Sequence, residues 1–308
     1  MKRQLLALTT AAGLLLLGAV GTPTASAQDG RHGAEGLLVT GTVSTPMRYT
    51  SARLAGLTRT TLPDLRSPRR HAQVTGTLLE PLVIASSPVL PDVKNAALRV
   101  TLTVTGAHHE HVSLALGELA PGNGNHPALL VPSGARGQRH RGVDLVLPGD
   151  RGDGRTVHQV REVAVAVAAP ALPTDVPPGA VRVVSGRRSV TLGADVLATI
   201  PGETRTVAYQ SGQGPQQHVE TGPDLANVLR AARIHSTKTI TVAAIATDGY
   251  VATVTPAEAT SGRRPLLLSL TEDGTALERP RLVTDGDVSG GRDVSGVVVL
   301  EVEGGHPR

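Results

Sequence analysis

The chain of 308 residues contains no cysteine, no phenylalanine and no tryptophan, and only three tyrosines. Without cysteine there are no disulfides, no thiolate ligands for a metal and no thiol nucleophile. Without large aromatics the cores must be built from Val, Leu, Ile and Ala, which bury less area per side chain. The stacking platforms used to hold single-stranded nucleic acid are also missing. Lysine stands only at positions 2, 94 and 238, so the basic side chains are nearly all arginine. The formal charge of +4 is small and dispersed, and no basic face marks a nucleic-acid partner.

The amino terminus reads as a targeting segment. Lys2 and Arg3 precede an apolar run from Leu5 to Val20, and Ala25 and Ala27 stand as in an A-x-A cleavage site. This pattern predicts a secretory signal peptide over 1–27 and a secreted, extracytoplasmic mature chain. No later stretch is long and apolar enough to span a bilayer, so no membrane span is expected after cleavage.

Two segments share one pattern. "LVLPGDRGDGRTV" (145–157) and "LVTDGDVSGGRDV" (282–294) both fit L-V-x-x-G-D-x-x-x-G-R-x-V, in one register: 282 − 145 = 287 − 150 = 137. An apolar run follows each, "VREVAVAVA" and "VSGVVVLEVE", as expected of closing strands. Upstream, "LRVTLTVTGAHHEHVSLALGEL" lines up with "KTITVAAIATDGYVATVTPAEA", each a strand, turn and strand before a glutamate, Glu118 or Glu258. Further upstream, "ETGPDLANVLRAA" predicts a helix. Pro223 suits its first turn, Asp224 its positive end, and Leu225, Val228 and Leu229 share a face. The opposing "TGTLLEPLVIAS", with Pro81 and β-branched residues, reads as strand-like. Between the copies, "APALPTDVPPG" (169–179) reads as a semi-rigid linker. The expectation is an α+β class: two β-rich domains related by duplication, 34–168 and 180–304, each with one or at most two short helices.

In the second half, Asp248-Gly249-Tyr250, Glu258, "LSLTEDGTAL" and Pro280-Arg281-Leu282-Val283 are similar to the molybdopterin-binding domain of sulfite-oxidase-type oxidoreductases. "VTLGADVLATIPGETRTVAYQ" resembles the opening segment of that family. The likeness covers most of 180–304 and reaches the first half through the repeat. It implies the family's fold in two tandem copies, and it implies a molybdenum ligand, a cysteine thiolate, near Tyr209 to Ser211, where this chain has none. It also implies that Arg155 and Arg292 stand at the basic position near the cofactor's phosphate. Thr156 and Asp293 occupy the place of an aromatic there, and Asp293 would repel a phosphate. Family members that carry the cofactor generally leave the cytoplasm folded, through a twin-arginine signal; this signal is of the general secretory kind.

Arg155 and Arg292 have two readings. Each offers a fixed fork to an anion, or each pairs with the aspartate five positions earlier, Asp150 or Asp287, and pins its turn. Arg151-Gly152-Asp153 falls inside the first of these turns, where Gly152 and Asp153 suit turn geometry. The cluster His108 to His111 reads as a hairpin turn and the start of its second strand. There His109 and His111 would face one side and offer two imidazoles to Zn²⁺, with His126, His140 and His158 as further ligands if the fold brings them near. The alternative is an exposed polar turn. No G-x-S-x-G elbow, G-x-G-x-x-G or phosphate loop is present.

The expected function is that of a secreted molybdopterin-oxidoreductase-like protein without a redox centre and without a cofactor, acting as a binding module for an unknown ligand or envelope component rather than as an enzyme. The alternatives are an oxidoreductase that keeps molybdopterin in its C-terminal domain, and a structural spacer at the cell envelope.

Overall fold

The computed structural model describes residues 36–67, 69, 71–133, 142–169 and 175–304. The signal segment 1–27, His140 and residues 170–174 of the linker lie outside the described residues.

The first half runs β1 (Leu37–Gly41), β2 (Met47–Tyr49), α1 (Ser51–Ala55), β3 (Thr60–Pro63), β4 (Gln73–Leu78), α2 (Leu79–Ala85), β5 (Val100–Gly106), β6 (His111–Ala115), α3 (Leu116–Leu119), β7 (Leu129–Pro132), β8 (Val143–Val146) and β9 (Val160–Val167). The second runs β10 (Val181–Ser185), β11 (Arg188–Leu192), α4 (Ala194–Thr199), β12 (Gly202–Ser211), β13 (Gly214–Pro223), α5 (Leu225–Ala231), β14 (Thr241–Ala246), β15 (Val251–Val254), α6 (Pro256–Thr260), β16 (Leu266–Glu272), β17 (Thr275–Thr284) and β18 (Val297–Glu303). The type and order of strands and α-helices are the same in both halves.

Sheet topology repeats as well. One five-stranded sheet has the order β2-β1-β9-β5-β6 and the other β11-β10-β18-β14-β15. The four-stranded sheets run β3-β4-β7-β8 and β12-β13-β16-β17. In each half the last strand pairs in parallel with the first and antiparallel with the strand on its other side. Among the described residues the chain is thus β-rich, with four sheets in two halves and few, short helices.

The apolar runs explain the central strands. All of β14 ("TVAAIA") is buried, as is most of β18, because both faces of these strands are covered. One core gathers β1, α2, β5, β6 and β9 in the first half; another gathers β10, α5, β14, β15 and β18 in the second. Leu98 belongs to the first half by sequence but packs into the second core. The described residues form one compact unit.

Three readings of the helices need correction. The strand-like pattern of 79–85 is in fact α2, the counterpart of α5. Pro81 sits in its first turn, where a missing N–H costs no internal bond. Among the described residues each half has three α-helices and a 3-10 turn rather than one or two helices, since single turns of four to six residues carry too little periodicity to be seen. Pro223 ends β13 instead of entering α5, which starts at Leu225 after Asp224. Leu225, Val228 and Leu229 do form its buried face.

Candidate functional site

The repeated G-D-x-x-x-G-R segments fold into two closed loops of one design. Leu145 and Val157 exchange backbone hydrogen bonds of 2.8 and 3.2 Å, and Leu282 and Val294 exchange two of 2.9 Å. Each loop is therefore pinned at its first and last apolar residues, and its Asp–Arg pair, Asp150 with Arg155 or Asp287 with Arg292, is buried inside.

Inside the first loop Arg155 forks onto Asp150. Its Nε donates to Oδ2 at 2.8 Å and its Nη2 to Oδ1 at 2.6 Å. Nη1 donates to both oxygens of Glu118 on α3, at 2.7 and 3.0 Å. Inside the second loop Arg292 forks onto Asp287 at 2.7 and 2.6 Å, and Nη1 reaches Glu258 on α6 at 2.7 Å. Both arginines and both glutamates are fully buried. A second base completes each group: His126 Nε2 lies 3.0 Å from Asp150 Oδ1, and Arg264 Nη2 donates to Asp287 Oδ1.

The electrostatics follow from burial and pairing. Burial pushes the Glu118 carboxyl up, against the pull of Arg155 and Arg292. Burial likewise pushes Glu258 up to about 7, opposed by Arg292 and reinforced by Glu118. Asp150 is held below its usual range, because the hydrogen bonds from Arg155 and His126 outweigh its burial. Burial disfavours the charge on Arg155 and Arg292, but their carboxylates outweigh it and keep both guanidiniums protonated.

These groups sit where the halves meet, and the contacts there are reciprocal. Arg151 N–H donates to the Ser261 carbonyl at 2.7 Å, and Val288 N–H to the Asn123 carbonyl at 2.8 Å. Ser113 Oγ donates to the Thr239 carbonyl, and Thr253 Oγ1 to the Leu98 carbonyl, both at 2.9 Å. Each contact has its counterpart in the opposite direction, as at an interface between like subunits related by a two-fold axis.

The histidine turn has a different character. His109 lies in the turn with φ of 60°, and β6 begins only at His111, so the two do not share a strand face. His111 Nδ1 approaches the His109 carbonyl at 3.3 Å, while Glu110 Oε1 accepts the His158 N–H at 2.5 Å. His126 belongs to the buried group of Arg155, and no cluster of three metal-ligating side chains occurs among the described residues. Asp153, within the Arg151-Gly152-Asp153 turn, is paired with Arg66 at 2.8 Å. Ser211 donates its hydroxyl to the Gly214 carbonyl at 3.0 Å inside the β12–β13 turn.

A groove of about 490 Å³ opens in the second half, beside α4. Ala194, Leu197 and Ala198 form one wall; Leu270, Leu277 and Pro280 form another. Gly202 and Gly222 also line it, and Thr221 and Thr271 are its hydroxyl-bearing residues. Sequence reasoning missed this groove, and it also missed Glu118, Glu258, His126 and Arg264 as partners of the arginines. The one available signal was near-register: His126 lies 150 − 126 = 24 positions before Asp150, and Arg264 lies 287 − 264 = 23 before Asp287.

No family model matches the chain, and no curated protein matches it. Among solved structures, the crystal structure of the sulfane dehydrogenase SoxCD from Paracoccus pantotrophus is similar at 15% identity and a TM-score of 0.31, covering 85% of this chain and 63% of that one. The chain thus spans less than two thirds of the length of that protein.

Proposed function

We propose that this chain is an exported binding module of molybdopterin-oxidoreductase-like design, built from two copies of one lobe and lacking a redox centre. The common order of elements and the common strand order support duplication. Its binding site is the groove beside α4, and that groove is the observation that carries the reading. Its volume of about 490 Å³ and its mostly apolar lining with two hydroxyls suit a small, largely apolar ligand with a polar end.

The residues present do not fit a molybdopterin. No thiolate exists anywhere in the chain, and Ser211, near the expected ligand position, spends its hydroxyl on its own turn. The forks of Arg155 and Arg292 are filled by carboxylates, which would repel a phosphate.

Two measurements on the purified exported chain test the proposal. Elemental analysis for molybdenum, with pterin fluorescence after acid oxidation, should find neither; stoichiometric amounts of both would establish the oxidoreductase reading instead. Thermal-shift titration with medium-chain fatty acids and fatty alcohols should raise the melting temperature, and Ala198→Trp, which fills the groove, should remove the rise. No rise with any of them would leave the chain as a spacer.

A further inference from the structure

His126 and Arg264 hold the same place in the two lobes. The His126 N–H donates to the Glu118 carbonyl at 2.9 Å and the Arg264 N–H to the Glu258 carbonyl at 3.0 Å. Both side chains then reach Oδ1 of the loop aspartate. In the second lobe two permanent cations, Arg264 and Arg292, face two carboxyls, Glu258 and Asp287. In the first lobe only Arg155 is a permanent cation facing Glu118 and Asp150, and the second base is an imidazole.

The two groups are electrically one. Glu118 responds to Arg292, and Glu258 to Glu118. The side chain of Arg292 lies against Gly117 of the first lobe, and that of Arg155 against Gly262 of the second. Three guanidiniums therefore face four carboxyls, and none of these residues, nor His126, is more than 8% exposed. Water cannot screen the remaining negative charge there, so it must be neutralised locally. Asp293, in the second loop, is a further carboxyl raised by burial and by Asp287 and opposed by Arg281, and the Asp293→Asn variant sets its own titration apart from that of the cluster.

We propose that the docked lobes hold one extra proton in this cluster, and that losing it as pH rises loosens the contact between the lobes. The proton belongs to the cluster as a whole rather than to one residue. With the lobes apart these carboxyls meet water and ionise freely, so docking takes the proton up and undocking releases it.

Amide hydrogen exchange on the whole chain tests this, from about pH 5.5 to about pH 8.5, a range that brackets the raised Glu258 carboxyl. The reporters are the N–H groups of Arg151, Val288 and Ser113, which donate across the lobe boundary. Val242, inside one sheet, is the reference. Protection of the three reporters should fall relative to Val242 with rising pH, by up to about tenfold per unit, the slope of one proton. His126→Arg, which copies the second lobe, should abolish the fall, and Glu118→Gln should do the same by removing one negative charge. Arg264→His should steepen it. Reporters that track Val242 across the range overturn the proposal, as does a wild-type slope retained in Glu118→Gln, the variant that decides if His126→Arg does not fold.

Discussion

The side chain of Arg292 occupies the space where a β-carbon on Gly117 would stand: such an atom would lie 2.7 Å from Cδ of Arg292 and 3.0 Å from Cδ2 of Leu98. A glycine of one lobe is thus the seat for the buried arginine of the other. Gly117→Ala should destabilise the chain by about 1–3 kcal/mol through overpacking. Gly262→Ala, 2.6 Å from Nη2 of Arg155, should act in the same direction. Gly122, with nothing within 4 Å, is the control and should stay within about 0.5 kcal/mol. Urea unfolding of the three variants checks the order.

Truncating either buried arginine should cost far more than any surface change. Arg292→Met leaves Glu258 and Asp287 buried without their main partner, a loss of about 3–5 kcal/mol. Arg155→Met should fall in the same range, with Glu118 and Asp150 left exposed to one another's charge. A loss below about 1 kcal/mol in either would show that the site relaxes enough to admit water.

Much of this arrangement was legible in the sequence, and the rest was hidden for identifiable reasons. The shared L-V-x-x-G-D-x-x-x-G-R-x-V pattern marked both loops, because the apolar ends and the Asp–Arg fork are all local to thirteen positions. The pairing of Arg155 with Asp150, and of Arg292 with Asp287, was one of two readings and is the one the geometry displays. Glu118 and Glu258 stood in the aligned segments but had no sign of burial, since a carboxylate between apolar residues also suits a surface turn. α2 was concealed by Pro81, whose place in a first turn cannot be told from its place in an edge strand. The reciprocal lobe contacts are long-range and use mostly backbone groups, which carry no residue code.

Asp293 should make stability depend on pH. Burial pushes its carboxyl up to about 7, although it accepts hydrogen bonds from the Thr284 N–H and hydroxyl at 2.8 and 2.9 Å. A carboxyl raised in the folded state favours folding below its unfolded value, and that contribution is lost as pH rises through about 7. Stability should therefore fall between about pH 4 and pH 7, at no more than about 1.4 kcal/mol per unit from this group. Asp293→Asn keeps an acceptor for Thr284 and should flatten that part of a urea-unfolding pH series.

His109 holds a left-handed conformation that its counterpart in the second hairpin, Gly249, reaches without a side chain, at φ of 83°. His109→Gly should raise stability, by up to about 1 kcal/mol, by relieving that strain. Adding Zn²⁺ should leave the melting temperature of both forms unchanged; a rise in wild type that is absent from His109→Gly would instead identify the turn as a metal site.

The central place of β9 and β18 bears on the order in which the protein can form. Synthesis proceeds from the amino terminus, yet β1 waits for its parallel neighbour until Val160 has been made, and β10 waits until Arg182, Val183 and Val184 can meet Val299, Leu300 and Glu301. Until then each five-stranded sheet exists as two separate hairpins with open edges, so neither half can close cooperatively before its last segment arrives. A chain stopped just short of Val297 would lose the strand that joins those hairpins, and a ribosome-release series should show protease resistance appearing in two late steps rather than gradually along its length.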